Sequence, residues 1–230
     1  MKKLDTNSNV YTIIYATIIV VIVAVLLAVV NQVLSERQEF NKKLDVQKQI
    51  LTSLNIEYTA ENAGDLYKQY VQEDSTENGL PLFVATVDGA KKYVLRLRGR
   101  GLWGAIWGYI ALNDDKNTIF GINFGHESET PGLGGDIVTA KFREQFKGKK
   151  IKNANNDILS VAVLKTGNLA PNGQEQVDAL AGATITSTGV NDMLLSSLTE
   201  YTEFLQEVDE ATYEEAQVIK LIERENNETK

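Results

Sequence analysis

Cysteine is absent from the 230 residues of the chain, and histidine occurs once, at position 126. A chain without thiols can form no disulfide, no cysteine-ligated iron–sulfur cluster and no cysteine nucleophile. A single histidine also excludes a multi-histidine metal centre, so we expect no metal site. Any redox chemistry must therefore depend on oxygen-bearing side chains or on a cofactor.

Positive charge is also scarce, because 23 Lys and Arg residues face 31 Asp and Glu residues and give a net charge of -8. Nucleic-acid binding needs clustered basic residues against phosphates. The composition therefore excludes nucleic acid as the expected partner.

Charge is missing altogether from Val10 to Val30, a run of 21 residues. As a helix rising 1.5 Å per residue this run would be roughly 31 Å long, close to the hydrocarbon thickness of a bilayer. A cleaved signal peptide is the competing interpretation, but the run is too long and no A-x-A site follows it. We predict one permanent transmembrane helix.

Basic residues lie on both sides of this span: Lys2 and Lys3 before it, and Arg37, Lys42 and Lys43 after it. The positive-inside rule is therefore nearly balanced. We prefer an orientation with the N-terminus inside and the remaining 200 residues outside.

The segment after the span is predicted to be helical. Apolar side chains among many charges from about Glu36 to Leu54 indicate an amphipathic stalk helix, and a second short helix is expected from Ala60 to Gln72.

Strand patterns occupy the middle of the chain. Residues 81–87 and 92–98 flank the turn Asp88-Gly89, which predicts a hairpin. Residues 107–112 and 118–124 repeat the pattern, and residues 158–164 predict another strand. The C-terminal part is helical in its spacing, from Gly189 to about Leu205 and again from Tyr213 to Ile222, before a charged tail from Glu223 to Lys230. Strands grouped between helices predict an α+β fold with a largely antiparallel sheet.

Two glycine-rich segments are candidate binding loops. Residues 99–108, GRGLWGAIWG, lack the features of a phosphate-binding P-loop, and a glycine-rich turn with two core tryptophans is the simpler interpretation. Residues 126–135, HESETPGLGG, contain the turn signal Pro131-Gly132. The lone His126 is most simply a surface loop residue, and we assign no catalytic residue to the chain.

The stretch DALAGATITST, residues 178–188, carries four hydroxyl residues after a Gly-Ala step. Thr186, Ser187 or Thr188 is expected to cap the helix that follows. Capping leaves Asp178 and the step from Gly182 to Thr184 unexplained. A phosphate attached at this step would lie near a helix N-terminus, where free amides and the helix dipole favour negative charge.

Asp178-x-x-Ala181-Gly182-Ala183-Thr184 resembles the flavinylation motif D-x-x-[S/T]-G-A-T of FMN-binding domains. Ala181 departs from it, since that position usually carries Ser or Thr. With the N-terminal span, GRGLWG and HESETPGLGG, the order of features is similar to that in the family of C subunits of the sodium-translocating NADH:quinone oxidoreductase.

The resemblance implies site residues and boundaries. It makes Thr184 the acceptor of covalent FMN through a phosphoester and Asp178 a recognition or metal-contacting residue during attachment, with Gly182 and Ala183 completing the motif. It places Leu102 and Trp103 by the isoalloxazine, and it lines the flavin or its phosphate with Glu129, Thr130, Gly132 and Leu133. The implied division is an N-terminal tail (1–9), a transmembrane helix (10–30), a helical stalk region (31–75) and an FMN-binding domain (76–230).

The implied function is a membrane-anchored electron-transfer subunit that relays electrons between neighbouring subunits toward quinone. A flavin transferase would be the partner in maturation, and the soluble domain would face the outer side of a bacterial inner membrane. Two alternatives stay open: the equivalent subunit of an Rnf-type ferredoxin:NAD oxidoreductase complex, and a non-redox membrane-tethered binding module in which the Gly-Ala-Thr step is only a cap.

Overall fold

The structure is a computed structural model that describes residues 9–153 and 155–207. The predicted helix at 213–222, the tail at 223–230 and most of the predicted N-terminal tail lie outside the described residues. The described part divides into two units, the first ending at Gln47 and the second beginning at Lys48.

The first unit consists of the greater part of one helix, α1 (Asn9–Ser53). Its apolar residues between Val10 and Val30 are exposed along nearly the whole run. Among the described residues, α1 is the helix that is long and apolar enough to cross a membrane. The predicted span and the stalk helix are therefore parts of one continuous helix.

The second unit is built on a five-stranded antiparallel sheet whose strands follow one another in chain order. They are β1 (Val71–Ser75), β2 (Pro81–Val87), β3 (Ala90–Arg100), β4 (Ala105–Asn113) and β5 (Ile119–His126). Asp88 and Gly89 join β2 to β3 with φ of 53° and 76°, the geometry that matches the twist of paired strands. The α+β fold and the antiparallel sheet are confirmed.

Helices cover both faces of the sheet. The last turn of α1 buries Ile50 and Leu51 completely, and the Nε1 of Trp107 in β4 donates a 2.9 Å hydrogen bond to Gln49 Oε1. The short helix α2 (Ala63–Tyr70) buries Tyr67. The opposite face contacts the C-terminal helix α4 (Thr184–Glu200), which packs against β3.

The remaining elements follow β5. They are a 3-10 helix (Gly134–Val138), α3 (Ala140–Arg143), a 3-10 helix (Glu144–Phe146), the short parallel pair β6 (Ala162–Leu164) and β7 (Gln176–Asp178), a 3-10 helix (Pro171–Gly173) between them, and α5 (Thr202–Gln206) after α4. Phe124, Phe142 and Phe146 pack against one another in this part of the core, with ring centroids 5.4 to 5.6 Å apart.

Three element boundaries differ from the prediction. The second helix ends at Tyr70, and β1 follows it at once; β1 was not predicted because only Val71 of its five residues is buried, so no apolar alternation marks it. The strand predicted at 158–164 is reduced to β6, since Ser160 has φ of 64° and interrupts the extended backbone. The predicted helix from Gly189 to Leu205 begins earlier, at Thr184, and is broken at Tyr201.

Tyr201 and Ser197 explain why α4 lies where it does. The strand β2 begins at Pro81, so the last residues of β3 have no partner strand on that side. Arg98 N donates to Ser197 Oγ at 3.0 Å, and the hydroxyl of Tyr201 donates to Pro81 O at 2.7 Å. Side chains of α4 and of its C-terminal end thus replace part of the missing strand.

Gly189 sets the distance between α4 and the end of β3. A Cβ at this position would lie 2.3 Å from Arg100 O. Alanine is favoured over glycine in a helix by about 1 kcal/mol, but overpacking a closed contact costs roughly 1–3 kcal/mol. We therefore expect Gly189→Ala to destabilise the chain, measured by urea unfolding of the detergent-solubilised protein.

Thr188→Ala is the matched control, because Thr188 is the preceding residue and is exposed. It should leave stability unchanged or raise it slightly. If Gly189→Ala proved as stable as the control, the close approach of α4 to Arg100 would be refuted.

Candidate functional site

Thr184 begins α4 and is exposed. The chain leaves β7 at Asp178, turns at Gly182 with φ of 74°, and enters the helix after Ala183. The αL conformation at residue 182 favours glycine because a side chain there would be strained. The motif therefore presents its last hydroxyl at the first position of a 17-residue helix.

The N-terminus of α4 has no side-chain cap, so the predicted capping by Thr186, Ser187 or Thr188 is wrong. The helix begins before all three residues, with Ala183 at the N-cap position. Two of the hydroxyls have other partners: Thr186 Oγ1 donates to Glu129 Oε2 at 2.6 Å, and Ser187 Oγ accepts a bond from Leu180 N at 3.1 Å. The first-turn amides are consequently left without a side-chain acceptor.

Glu129 joins the segments around this helix end. Its carboxylate is 3% exposed; Oε2 accepts the bond from Thr186, and Oε1 accepts a 2.7 Å bond from Trp103 N. We call Glu129, Thr186 and Trp103 the Glu129 cluster. It connects three segments that are distant in sequence: the GRGLWG loop, the loop after β5 and the first turn of α4.

Glycines make room for this carboxylate. A Cβ at Gly101 would lie 2.5 Å from Glu129 Oε1, and a Cβ at Gly134 would lie 2.4 Å from Thr186 Oγ1. One glycine in each loop, Gly101 and Gly134, is thus required for packing around a buried acid, in addition to any role in binding.

The Glu129 carboxylate is held ionised in spite of its burial. Burial acts to raise its pKa, but hydrogen bonds from the Thr186 hydroxyl and from the amides of Trp103 and Gly104 outweigh burial and lower the pKa. Each of these bonds is made to a charged group, which strengthens it.

His126, Thr130 and Gly132 form the turn that carries Glu129. His126 Nδ1 accepts a 3.2 Å bond from Glu129 N, and Thr130 O accepts from Gly135 N at 2.9 Å. Gly132 has φ of 75°, and its N donates to Asp136 Oδ1 at 2.9 Å. These contacts are internal to the loop.

Apolar side chains are exposed around the same helix end. Trp103 is 66% exposed, and Leu102, Leu133 and Ile185 are also exposed. Leu133 lies against the motif, since a Cβ at Gly182 would be 2.9 Å from its Cδ2. The predicted residues Leu102, Trp103 and Leu133 therefore belong to segments that the Glu129 cluster brings to the start of α4.

Asp178 belongs to the motif but not to the Glu129 cluster. It is exposed, and its backbone N donates to Gln145 Oε1 at 2.9 Å. A cavity of about 500 Å³ adjoins it, with Lys141, Gln145, Leu133 and Ala181 in its lining. The structure thus leaves the Asp178 carboxylate accessible from solvent.

Sequence reasoning did not single out Thr186, Ser187, Gln145 or Ile185 as contacts of the site. Thr186 and Ser187 were assigned to capping, and their pairing with Glu129 and Leu180 depends on chain segments that only the fold brings together. Ile185 carried no signal, because the predicted helix began at Gly189 and one apolar residue between two hydroxyl residues does not show whether it is buried or exposed.

The hydroxyl of Thr184 is exposed at a helix start without a side-chain cap, and the aromatic ring of Trp103 and aliphatic side chains are exposed around the same helix end. This arrangement suits a ligand that combines a phosphate with an aromatic ring. The family model for the FMN-binding domain matches residues 101–199, which span most of both glycine-rich loops and α4. The class of protein is thus an FMN-binding domain that follows an apolar N-terminal helix.

Sequence comparison with curated proteins identifies more specific relatives of this chain. The C subunit of the Na(+)-translocating NADH-quinone reductase from Vibrio vulnificus (strain YJ016) is 41% identical over 113 residues, covering 49% of this chain and 43% of the relative. The same subunit from Pseudomonas aeruginosa is 42% identical over 104 residues, covering 44% and 39%. The matched stretch thus spans less than half of the length of these curated relatives.

Solved structures extend the likeness over most of the chain. The crystal structure of the C subunit from Parabacteroides distasonis superposes with a TM-score of 0.71 at 39% identity, covering 76% of this chain and 98% of that one. The structure of Shewanella oneidensis NqrC, at 22% identity and a TM-score of 0.59, covers 72% of this chain and 99% of that one and shares the fold. The chain belongs to the family of C subunits of the Na(+)-translocating NADH-quinone reductase.

The Thr186–Glu129 bond generates a first prediction at the site. Thr186→Val keeps the shape of the side chain and removes the hydroxyl donor from a buried carboxylate. Because hydrogen bonds to charged groups contribute roughly 1.5–3 kcal/mol, we expect a loss of stability of that order in urea unfolding of the detergent-solubilised chain. Thr188→Val, on the exposed side of the same turn, should cost much less, and equal losses would contradict the importance of this bond.

The lowered pKa of Glu129 generates a second prediction. A carboxyl whose pKa is lower in the folded state stabilises the fold above its ordinary pKa, and this stabilisation is lost as the pH falls through the folded-state pKa. Glu129→Gln should therefore be less stable than the unmodified chain at neutral pH, and the difference should shrink on acidification. Unfolding curves across an acidic pH series test this, and a constant difference would refute it.

Proposed function

We propose that the chain is a membrane-anchored electron-transfer subunit of a sodium-translocating NADH:quinone reductase, with FMN esterified to Thr184. It relays electrons between neighbouring subunits toward quinone. The observation that carries the proposal is the exposed hydroxyl of Thr184 at an uncapped helix start, in the matched FMN-binding domain.

The start of α4 fits a phosphate. The first-turn amides have no side-chain acceptor, and the first turn contains no acidic residue that would repel an anion. The helix dipole adds a partial positive charge at this end. A phosphate on Thr184 Oγ1 would therefore find donors and a favourable field in the adjoining turn.

The surroundings fit the ring of a flavin. Leu102, Trp103, Leu133 and Ile185 expose apolar surface that a flat aromatic ring would cover. The role of Glu129 is then to hold the two loops together, while Thr130 and Gly132 form the turn that carries it. Gly182, which has no side chain, and the methyl group of Ala183 leave the approach to Thr184 open. The bound flavin would supply one-electron redox chemistry, while the protein supplies position and electrostatics.

Attachment requires an activated donor of FMN. Direct esterification of the Thr184 hydroxyl by free FMN would release a water molecule, and this condensation is unfavourable in aqueous solution. A flavin–nucleotide diphosphate meets this need: Thr184 Oγ1 forms the new bond to the flavin-side phosphorus, and the diphosphate P–O bond breaks. The nucleoside monophosphate leaves, and the hydroxyl proton passes to a base of the flavin transferase. The exposed Asp178, six residues before Thr184, is available for recognition or for a metal in that enzyme.

A covalent bond changes what the site must do. The cofactor cannot dissociate, so strong non-covalent contacts are unnecessary, and the ring can stay exposed for exchange with a partner. The long apolar helix α1 anchors the protein in the bacterial inner membrane as a single pass, with the soluble domain on the periplasmic, outer side.

The site assignment predicts the fate of the flavin in variants. When the chain is co-expressed with the flavin transferase, precipitated in acid and run on a denaturing gel, we expect flavin fluorescence to stay with the polypeptide and to vanish in Thr184→Ala. Mass spectrometry should find the added FMN on the peptide that contains residue 184.

Thr188→Ala is the control in the same helical turn, and it should retain the flavin. Loss of flavin fluorescence on precipitation from the chain without substitutions would refute covalent attachment. Fluorescence retained by Thr184→Ala would refute the acceptor assignment alone.

A further inference from the structure

Three arginines stand in a row on one face of β3. Arg96, Arg98 and Arg100 alternate with Leu97 and Gly99, which face the core and α4. Since side chains two residues apart in a strand point to the same side, the three guanidinium groups follow one another at intervals of roughly 7 Å. Arg98 and Arg100 are exposed, and Arg96 is partly buried. We call these residues the arginine row.

Within the described part of the chain, no carboxylate forms an ion pair with the arginine row. The ion pairs among the described residues are Lys116–Glu207 and Lys149–Glu175, and neither includes an arginine. The chain as a whole has eight more acidic than basic residues. Adjacent like charges repel, so a row of arginines that forms no ion pair within the described residues is unfavourable in the isolated chain.

Aromatic residues lie beside the row on the neighbouring strand. Tyr109 of β4 is the register partner of Arg96, and Trp107 is the partner of Arg98. Tyr109 is 4% exposed, and Trp107 is half-buried and bonded to Gln49, so these rings support the row from within the fold. Arginine is itself enriched in the energetic centres of protein–protein interfaces, and the exposed Arg98 and Arg100 are the residues that a partner can reach.

The row also leads to the candidate site. Arg100 is followed directly by Gly101, Leu102 and Trp103, and its carbonyl lies against Gly189 in α4. A partner held on the arginine row would therefore be adjacent to the loop that exposes Trp103.

We propose that the arginine row docks a carboxylate-rich surface of a neighbouring subunit and so directs that subunit to the GRGLWG loop, which exposes Trp103. The inference rests on the proposed function, because it requires the chain to work within an assembly. Planar guanidinium groups bind carboxylates with two parallel bonds, which suits a row of Asp and Glu side chains. Anionic lipid is the less suitable occupant, since lipid-binding clusters contain about four to eight basic residues, and this row has three.

The test uses the full chain, co-expressed with the other subunits of the reductase and purified as a complex. Arg98→Lys keeps the positive charge and introduces an amine, and a carbodiimide couples an amine to a carboxylate that it directly contacts. We expect digestion and mass spectrometry of the variant complex to find a new isopeptide link from position 98 to an Asp or Glu of another subunit. Thr199→Lys, on the exposed side of α4, is the control that should give no such link.

A charge reversal tests the same surface by affinity. Arg98→Glu with Arg100→Glu should lower the salt concentration at which the chain is lost from the complex by at least about twofold, while reversal of two exposed lysines elsewhere, Lys147→Glu with Lys165→Glu, should leave that concentration unchanged. Gel fluorescence of covalent flavin in the same samples reports on the chain itself and should not change.

Several other outcomes would overturn the docking inference. A complex that forms without an isopeptide link from position 98, or with a link only to carboxylates of a second copy of this chain, overturns the docking inference and leaves the proposed function intact. Binding of the full chain to phosphatidylglycerol vesicles that depends on the row, without a link to another subunit, assigns the surface to lipid and overturns it too. Failure of the unmodified chain to join the complex overturns both proposals.

Discussion

The arrangement of the site depends on one buried carboxylate. Glu129 accepts hydrogen bonds from the Thr186 hydroxyl and from Trp103 N, and in doing so it joins two loops and the first turn of α4. A buried ion is costly unless it is fully bonded, so the three segments can meet only in an arrangement that satisfies this group. The glycines at 101 and 134 follow from it, since a larger residue would occupy the space of the carboxylate or of Thr186.

The sheet provides the support for this cluster. The GRGLWG loop connects β3 to β4, and the loop that carries Glu129 follows β5, which pairs with β4, so both loops lie at the same end of the sheet beside the start of β4. The helix α4 is held against that end by Ser197 and Tyr201, which bond to backbone groups where β2 is absent. This framework thus carries an exposed hydroxyl and exposed apolar side chains, an arrangement that would leave a cofactor attached to Thr184, as proposed, open to a partner.

The arginine row is a positively charged part of a chain that is acidic overall, and it lies next to the candidate site. The chain is acidic overall, yet β3 carries an arginine row that leads to the loop with Trp103. Steering by such a row acts over about one Debye length, ~8–10 Å at physiological ionic strength, which is the scale of a docking contact. The partner would then be positioned by the arginine row of β3, and the cofactor would lie beside the GRGLWG loop that directly follows this strand.

The sequence by itself determined the apolar helix, the two hairpins and the motif that ends at Thr184, because each depends on local spacing: an uncharged run, alternation around Asp88-Gly89, and a short string of residues. Tertiary structure decided the rest. The strand β1 has one buried residue and no alternation, so only its pairing with β2 makes it a strand. The start of α4 and the partners of Thr186 and Ser187 could not be predicted either, since a hydroxyl bonds equally well to a nearby amide or to a distant carboxylate, and only the folded chain brings Glu129 within reach.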